Sequence, residues 1–168
     1  MELLPFCSED FASLYDFMKP IWHETYRDVI PTAQIDFLLQ KYFSEDGIRH
    51  FRSLGYSYYK LIDQDLCGVV VICEKDGATY LDKLYLVPEK RGMGYAAFVF
   101  SSLLEMGRDI LLNVNQGNAR AIACYQKNGF VIEQEERIPL ADGMVNIDYC
   151  MRLTKAAFDA RHAAPKQS

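Results

Sequence analysis

The chain has no long apolar run: nowhere do its 168 residues approach the length of a membrane span, and Met1–Phe6 has neither the basic flank nor the apolar stretch of an export signal. A cytosolic protein is expected. Lys and Arg never cluster and the formal net charge is −5, which argues against a nucleic-acid surface. Cysteine is sparse and unpatterned. Cys7, Cys67, Cys73, Cys124 and Cys150 are odd in number, scattered and mostly set among apolar neighbours, so buried free thiols are expected. His23, His50 and His162 lie far from one another and from any C-x-x-C, so no metal site is expected. No Gly-Lys-Ser/Thr is present, which excludes a P-loop, and there is no internal repeat and no linker. What remains is 50% hydrophobic and 24% charged, a globular composition of the size of one domain.

The most informative stretch runs from Tyr80 to Met106 and reads as strand, glycine-rich turn and helix. Ala78 to Val87 is largely β-branched, aromatic or aliphatic, and Pro88 ends it, because proline donates no ladder hydrogen bond and bars a helical predecessor. Arg91-Gly92-Met93-Gly94-Tyr95-Ala96 follows, before an apolar helical run from Tyr95 to Leu104. Free N–H groups at the positive end of a helix dipole suit a phosphate. Gly92, Gly94 and Ala97 also satisfy the dinucleotide pattern G-x-G-x-x-A. Four residues separate strand from glycines there, however, and Asn113 and Asn115 stand where that pattern needs an acid. A strand-to-helix turn with glycines for geometry alone is the plainer alternative.

In chain order, Glu2 to Phe6 suits a short strand. Ser8 caps an amphipathic helix through Phe11, Leu14, Tyr15 and Met18 that should end near Pro20. Ile21 to Ile30 reads as a connecting segment. In it Trp22 and Tyr26 either pack on the core or offer aromatic faces to an ammonium group, and His23 and Glu24 are possible acid–base side chains. Pro31-Thr32 and Ser44 open two more helices. Strands follow at Tyr56–Ile62 and Leu66–Cys73, with turns at Asp63-Gln64-Asp65 and Lys75-Asp76-Gly77. Beyond the Tyr95 helix come Asp109–Val114, a helix over Asn118–Asn128 closed by Gly129, and a strand pair Phe130–Ile138 and Met144–Leu153 across Ala141-Asp142-Gly143. The expected fold is α/β, a mixed sheet of six or seven strands flanked by helices. It forms a single domain over residues 1–154, with 155–168 as a tail that is a frayed helix or disordered.

Two motifs in order carry a resemblance. Arg91, Gly94 and Ala96 match Q/R-x-x-G-x-G/A, and Asn118, Ala121, Tyr125, Gly129 and Phe130 match the spacing of a second motif. Together they resemble the GNAT-type N-acetyltransferases. Ile147–Met151, Trp22, Tyr26 and Ile30-Pro31 look like a bacterial branch that includes polyamine acetyltransferases.

The resemblance implies acetyl-CoA as co-substrate, with its pyrophosphate on the amides of Arg91, Gly92, Met93, Gly94, Tyr95 and Ala96. It also implies a cleft where the strands on either side of that loop splay apart. Its pantetheine arm would pair with the backbone of Leu84 and Leu86, and Asn118 would bond to the cofactor near its helix start. Tyr125 would be the general acid; a phenol of ordinary pKa near 10 is protonated at neutral pH and can donate without tuning. The plainer alternative for Tyr125 is a tyrosine packing on the sheet. The general base stays open between Asp82, a water chain ending on Tyr80, and a backbone carbonyl. The acceptor expected is a small cationic amine, which an acidic protein attracts, with Trp22 and Tyr26 lining its site. A protein N-terminus or lysine is the alternative acceptor, and an acyl-CoA-sensing module the alternative to an enzyme. A monomer or a homodimer is expected.

Overall fold

In the computed structural model, which describes residues 1–139 and 143–163, the apolar stripe that begins at Phe11 does not stop at Pro20. Helix α1 spans Phe11–Tyr26 with Pro20 inside it, preceded by a 3₁₀ turn at Ser8–Asp10. A proline inside a helix costs about 3 kcal/mol. Ile21 and Trp22, both buried, continue the face of Phe11, Leu14 and Met18 beyond it. Their burial returns roughly 2 kcal/mol each, enough to carry the helix through. The expected break at Pro20 is thus overridden by packing, and the supposed connecting segment is helical as far as Tyr26.

Helix α2 (Thr32–Phe43) follows Pro31, and α3 (Glu45–Ser53) starts at Ser44, whose hydroxyl accepts from the Gly47 amide at 3.0 Å. The strands are β1 (Glu2–Pro5), β2 (Ser57–Asp63), β3 (Asp65–Lys75), β4 (Ala78–Leu86), β5 (Ile110–Asn115), β6 (Val131–Pro139) and β7 (Val145–Leu153). Helices α4 (Tyr95–Leu104), α5 (Ala119–Lys127) and α6 (Lys155–His162) complete the elements seen among the described residues. The seven strands form one mixed sheet in the order β1-β2-β3-β4-β5-β7-β6. Asp76 at φ 52° and Gly77 at φ 74° make the tight turn between β3 and β4, as the Asp-Gly pair requires. Pairing of β4 with β5 is parallel, with Thr79 opposite Ile110 and Tyr80 opposite Leu111; β1–β2, β2–β3, β5–β7 and β6–β7 are antiparallel. The expected mixed sheet is therefore observed, with seven strands.

The chain divides into two compact units. The first comprises Met1–Cys73 and Lys83–Ala96, the second Glu74–Asp82 and Ala97–Ser168. In the first, Phe11, Leu14, Met18, Ile21 and Trp22 of α1 pack with Ile35, Leu39 and Phe43 of α2, Ile48 of α3, and Tyr58, Val69 and Val71 of β2 and β3. In the second, Phe100 of α4 and Phe130 meet edge to face at 5.1 Å, and Ile110, Leu112, Met151 and Leu153 are buried.

One expectation is made specific here and one needs correction. Of the stretch expected to be a frayed helix or disordered, Lys155–His162 is helix α6, capped by Thr154 and seated by the buried Phe158. Its Ala157 carbonyl lies 2.8 Å from where a Cβ on Gly129 would be. The thiols are all free, yet only Cys67 is buried, because the other four stand at positions with partial or full solvent contact. Of the turn expected between β6 and β7, Ala141 and Asp142 lie outside the described residues. No helix among the described residues is long and apolar enough to cross a membrane.

Candidate active site

In the first unit the chain leaves β4, makes a 3₁₀ turn at Pro88–Lys90, and enters the glycine loop. Gly92 and Gly94 sit at φ +72° and +86°, the left-handed region that L side chains avoid, with open space where a Cβ would be. The structural reason for these glycines is thus backbone conformation; nothing among the described residues crowds them. Met93 between them is exposed, and Tyr95, which opens the ten-residue α4, is buried. A helix start of this kind presents unpaired amides outward.

The side chains flanking the loop turn away from it. The Arg91 fork donates through Nη1 and Nη2 to the two oxygens of Glu24 at 3.3 and 3.0 Å, and through Nε to the Leu86 carbonyl at 3.2 Å. Lys90 Nζ donates to Asp63 at 3.2 Å, and the Tyr95 hydroxyl donates to the same carboxylate oxygen. The bonds from Tyr95 and then Lys90 hold the Asp63 carboxyl below the usual carboxylate range. A cavity of about 380 Å³ lies alongside, walled by Phe17, Pro20, Ile21, Val87 and Pro88 with Glu24 and Glu89. Leu84 and Leu86 are half-buried on β4. A Cβ on Gly68 would sit 2.8 Å from the Leu86 side chain and from the Tyr85 carbonyl, so β3 and β4 meet closely there.

Of the two placements expected for Trp22, packing on the core or offering an open aromatic face, the structure shows the first. Trp22 is 4% exposed, with the rings of Tyr26, Tyr42, Phe43 and Tyr85 at 5.0 to 6.2 Å, so its faces are taken by neighbours rather than offered to a cation. Its Nε1 is buried without a hydrogen-bond partner among the described residues. Tyr26 is half-buried and its hydroxyl shares a 2.7 Å bond with that of Tyr85. Burial pushes the Tyr26 hydroxyl up and the bond to Tyr85 opposes this, so Tyr26 is a neutral phenol at physiological pH.

In the second unit, Tyr125 stands on α5, half-buried, with its ring 6.2 Å from Phe100 and 5.4 Å from Phe130. Asn118 is the N-cap of that helix: its Oδ1 accepts from the Ala121 amide at 3.1 Å, so that oxygen serves the helix. Tyr80 and Asp82 are half-buried on β4, and Lys75 lies 5.0 Å over the Tyr80 ring. On β5, Asn113 donates to Glu136 at 2.7 Å, and Asn115 donates to Asn146 and to Asp148. The Asn113 Oδ1 is buried and has no partner among the described residues.

Sequence reasoning passed over Asp63 and the pairing of Glu24 with Arg91. Asp63 meets Tyr95 across 32 positions and Glu24 meets Arg91 across 67, and no local pattern signals a partner so distant. Among the described residues no group of three His, Cys, Asp or Glu side chains is arranged to hold a metal.

Known proteins match this chain. Residues 11–130 match the family model described as the Acetyltransferase (GNAT) family. The peptidyl-lysine N-acetyltransferase YjaB of Escherichia coli (strain K12) is 27% identical over 103 residues, 60% of this chain and 67% of that protein. The crystal structure of the PaiA N-acetyltransferase of Thermoplasma acidophilum in complex with coenzyme A superposes with a TM-score of 0.66 at 21% identity, over 91% of this chain and 98% of that one. The spermidine/spermine N-acetyltransferase SpeG of Vibrio cholerae, in mutant forms, has a TM-score of 0.64 at 18% identity, over 96% and 97% of the two chains. The fold is that of acyl-CoA N-acyltransferases, and the chain belongs to the acetyltransferase (GNAT) family, as an acetyl-CoA-dependent N-acetyltransferase.

Proposed function

We propose that this enzyme acetylates a small cationic primary amine by direct transfer, with Tyr125 as general acid, in the cytosol. The observation that carries the cofactor half of this reading is the loop from Arg91 to Ala96. Its centre is open, its glycines sit at positive φ, and a ten-residue helix begins at Tyr95. Such a cradle fits a pyrophosphate through backbone N–H groups and the helix dipole.

Acetyl-CoA supplies the thioester on which the chemistry turns. The amine nitrogen attacks its carbonyl carbon, the carbon–sulfur bond breaks, and the leaving sulfur needs a proton. Tyr125 is assigned to give that proton, since a phenol of ordinary pKa is protonated at neutral pH and can donate. Leu84 and Leu86 are assigned to hold the pantetheine arm by their backbone, and Asn118 retains its side-chain nitrogen for the cofactor while its oxygen caps α5. Asp82 and Tyr80 remain the candidates for receiving the amine's proton, directly or through water. The excess of 23 acidic over 18 basic residues favours a cation, and fold neighbours that include a spermidine/spermine acetyltransferase agree with it. The aromatic part of the reading now rests on Tyr26 and not on Trp22, which is buried.

A lysine side chain of a protein is the second reading, favoured by the likeness to a peptidyl-lysine acetyltransferase. Acetyl-CoA turnover measured in parallel against spermidine, other small amines, aminoglycosides, and peptides bearing a lysine or a free N-terminus separates the two. Small polyamines should give the highest kcat/KM. Turnover with peptides alone would overturn the small-amine assignment, and no amine-dependent thiol release with any acceptor would overturn the assignment of an amine acceptor.

A further inference from the structure

Among the described residues the glycine loop is held at its ends, and what holds it comes from outside both motifs. Its centre has an exposed Met93 between two glycines, with nothing within 4 Å of either Cβ position. At one end the Arg91 guanidinium makes a two-pronged bond to Glu24 on α1 and a third bond to the Leu86 carbonyl, so its fork is aimed back into the first unit. At the other end Tyr95, the first residue of α4, is buried and its hydroxyl ends on Asp63, the last residue of β2. Lys90 donates to the same Asp63 carboxylate. Both cations that flank the loop are thereby matched with a carboxylate, and the anion-holding work is left to the amides.

We propose that Asp63 and Glu24 are positioning residues that preorganise this loop for the pyrophosphate of acetyl-CoA, an inference that rests on the reading of the loop given above. Fixing a residue's backbone costs conformational entropy, and a loop already fixed when the ligand arrives spares the binding step that cost. Charge-assisted and bidentate bonds are the ones strong enough for this, and both anchors are of that kind. Neither carboxylate needs to touch the cofactor.

The test combines calorimetric titration of the full chain with CoA and steady-state kinetics with an amine acceptor. Asp63→Ala should raise the Kd for CoA and the KM for acetyl-CoA roughly tenfold, while kcat at saturating acetyl-CoA and the KM for the amine stay within about twofold. Asp63→Asn, which keeps an oxygen for the Tyr95 hydroxyl, should recover part of the loss. Tyr95→Phe should weaken CoA binding by itself, and the double variant Asp63→Ala/Tyr95→Phe should bind no more weakly than Asp63→Ala, because both changes remove one bond. Glu24→Gln tests the opposite flank from an exposed position and should also raise the Kd. Variants that bind CoA like wild type, additive losses in the double variant, or a fall in kcat with KM unchanged would each overturn the inference while leaving the loop as the cofactor site. Wild-type protein that binds no CoA would overturn the loop reading and this inference with it.

Discussion

Tyr125 carries a proposed role that a single substitution tests. On the role proposed for Tyr125 as general acid, Tyr125→Phe should keep CoA affinity and lose turnover by roughly 10²-fold, read as kcat against a CoA titration. Gly94, at φ +86°, needs a backbone conformation that a valine avoids. Gly94→Val should fold, keep its melting temperature within a few degrees, and lose the upward shift that acetyl-CoA gives wild type. Gly129 is constrained twice, by φ +105° and by the Ala157 carbonyl 2.8 Å from a new Cβ. Gly129→Ala should cost about 1–3 kcal/mol in urea unfolding. Asp10 sets a pH dependence: the bond from Lys60 at 2.8 Å, then that from the Cys7 amide, holds its carboxyl below the usual range. A carboxyl depressed in the folded state contributes stability above its unfolded pKa and loses it as pH falls through the folded value. Asp10→Asn should therefore lower the melting temperature at pH 7 and converge with wild type as the pH drops below the carboxylate range.

Among the elements, α6 departs most from what the residues alone suggest. Eight residues rich in alanine, followed by a polar end, have no strong stripe, and helix propensity for so short a piece is marginal in water. What orders it is tertiary. Phe158 is buried with its ring 4.1 Å from His162, His162 shares a 3.1 Å bond with Asn128, and the Thr154 hydroxyl caps the Ala157 amide. Truncation after Thr154 should therefore destabilise the protein, and Phe158→Ala alone should cost about 3 kcal/mol, measured by denaturant unfolding. α1 has the same origin, since its second half exists because Ile21 and Trp22 find a core beyond Pro20.

For the whole molecule, ligand linkage is the direct test. Acetyl-CoA in hundredfold excess over its Kd should stabilise the folded state by about 2.7 kcal/mol and raise the melting temperature, whereas NADH should leave it unchanged. An NADH shift without a CoA shift would restore the dinucleotide reading of Gly92, Gly94 and Ala97. Edge strand β6, all nine of whose residues are exposed, carries Glu133, Glu135, Glu136 and Arg137, the kind of charge that keeps a long edge from pairing with another sheet.

Local sequence determined the strands, the turn at Asp76-Gly77, the start of α4 at Tyr95 and the capped α5, because each is written in neighbouring residues: alternation, positive-φ glycines, a side chain that caps. The two motifs determined the family for the same reason, as both are short and contiguous. Tertiary structure alone decided that α1 passes through Pro20, that Lys155–His162 is a helix, that Trp22 turns its faces to other rings, and that Asp63 and Glu24 hold the ends of the glycine loop. Each of these depends on a burial or a charge pair whose partner lies far along the chain. Helix propensity and proline penalties are a few kcal/mol at most, and contacts of that size, absent from any local window, are enough to reverse them.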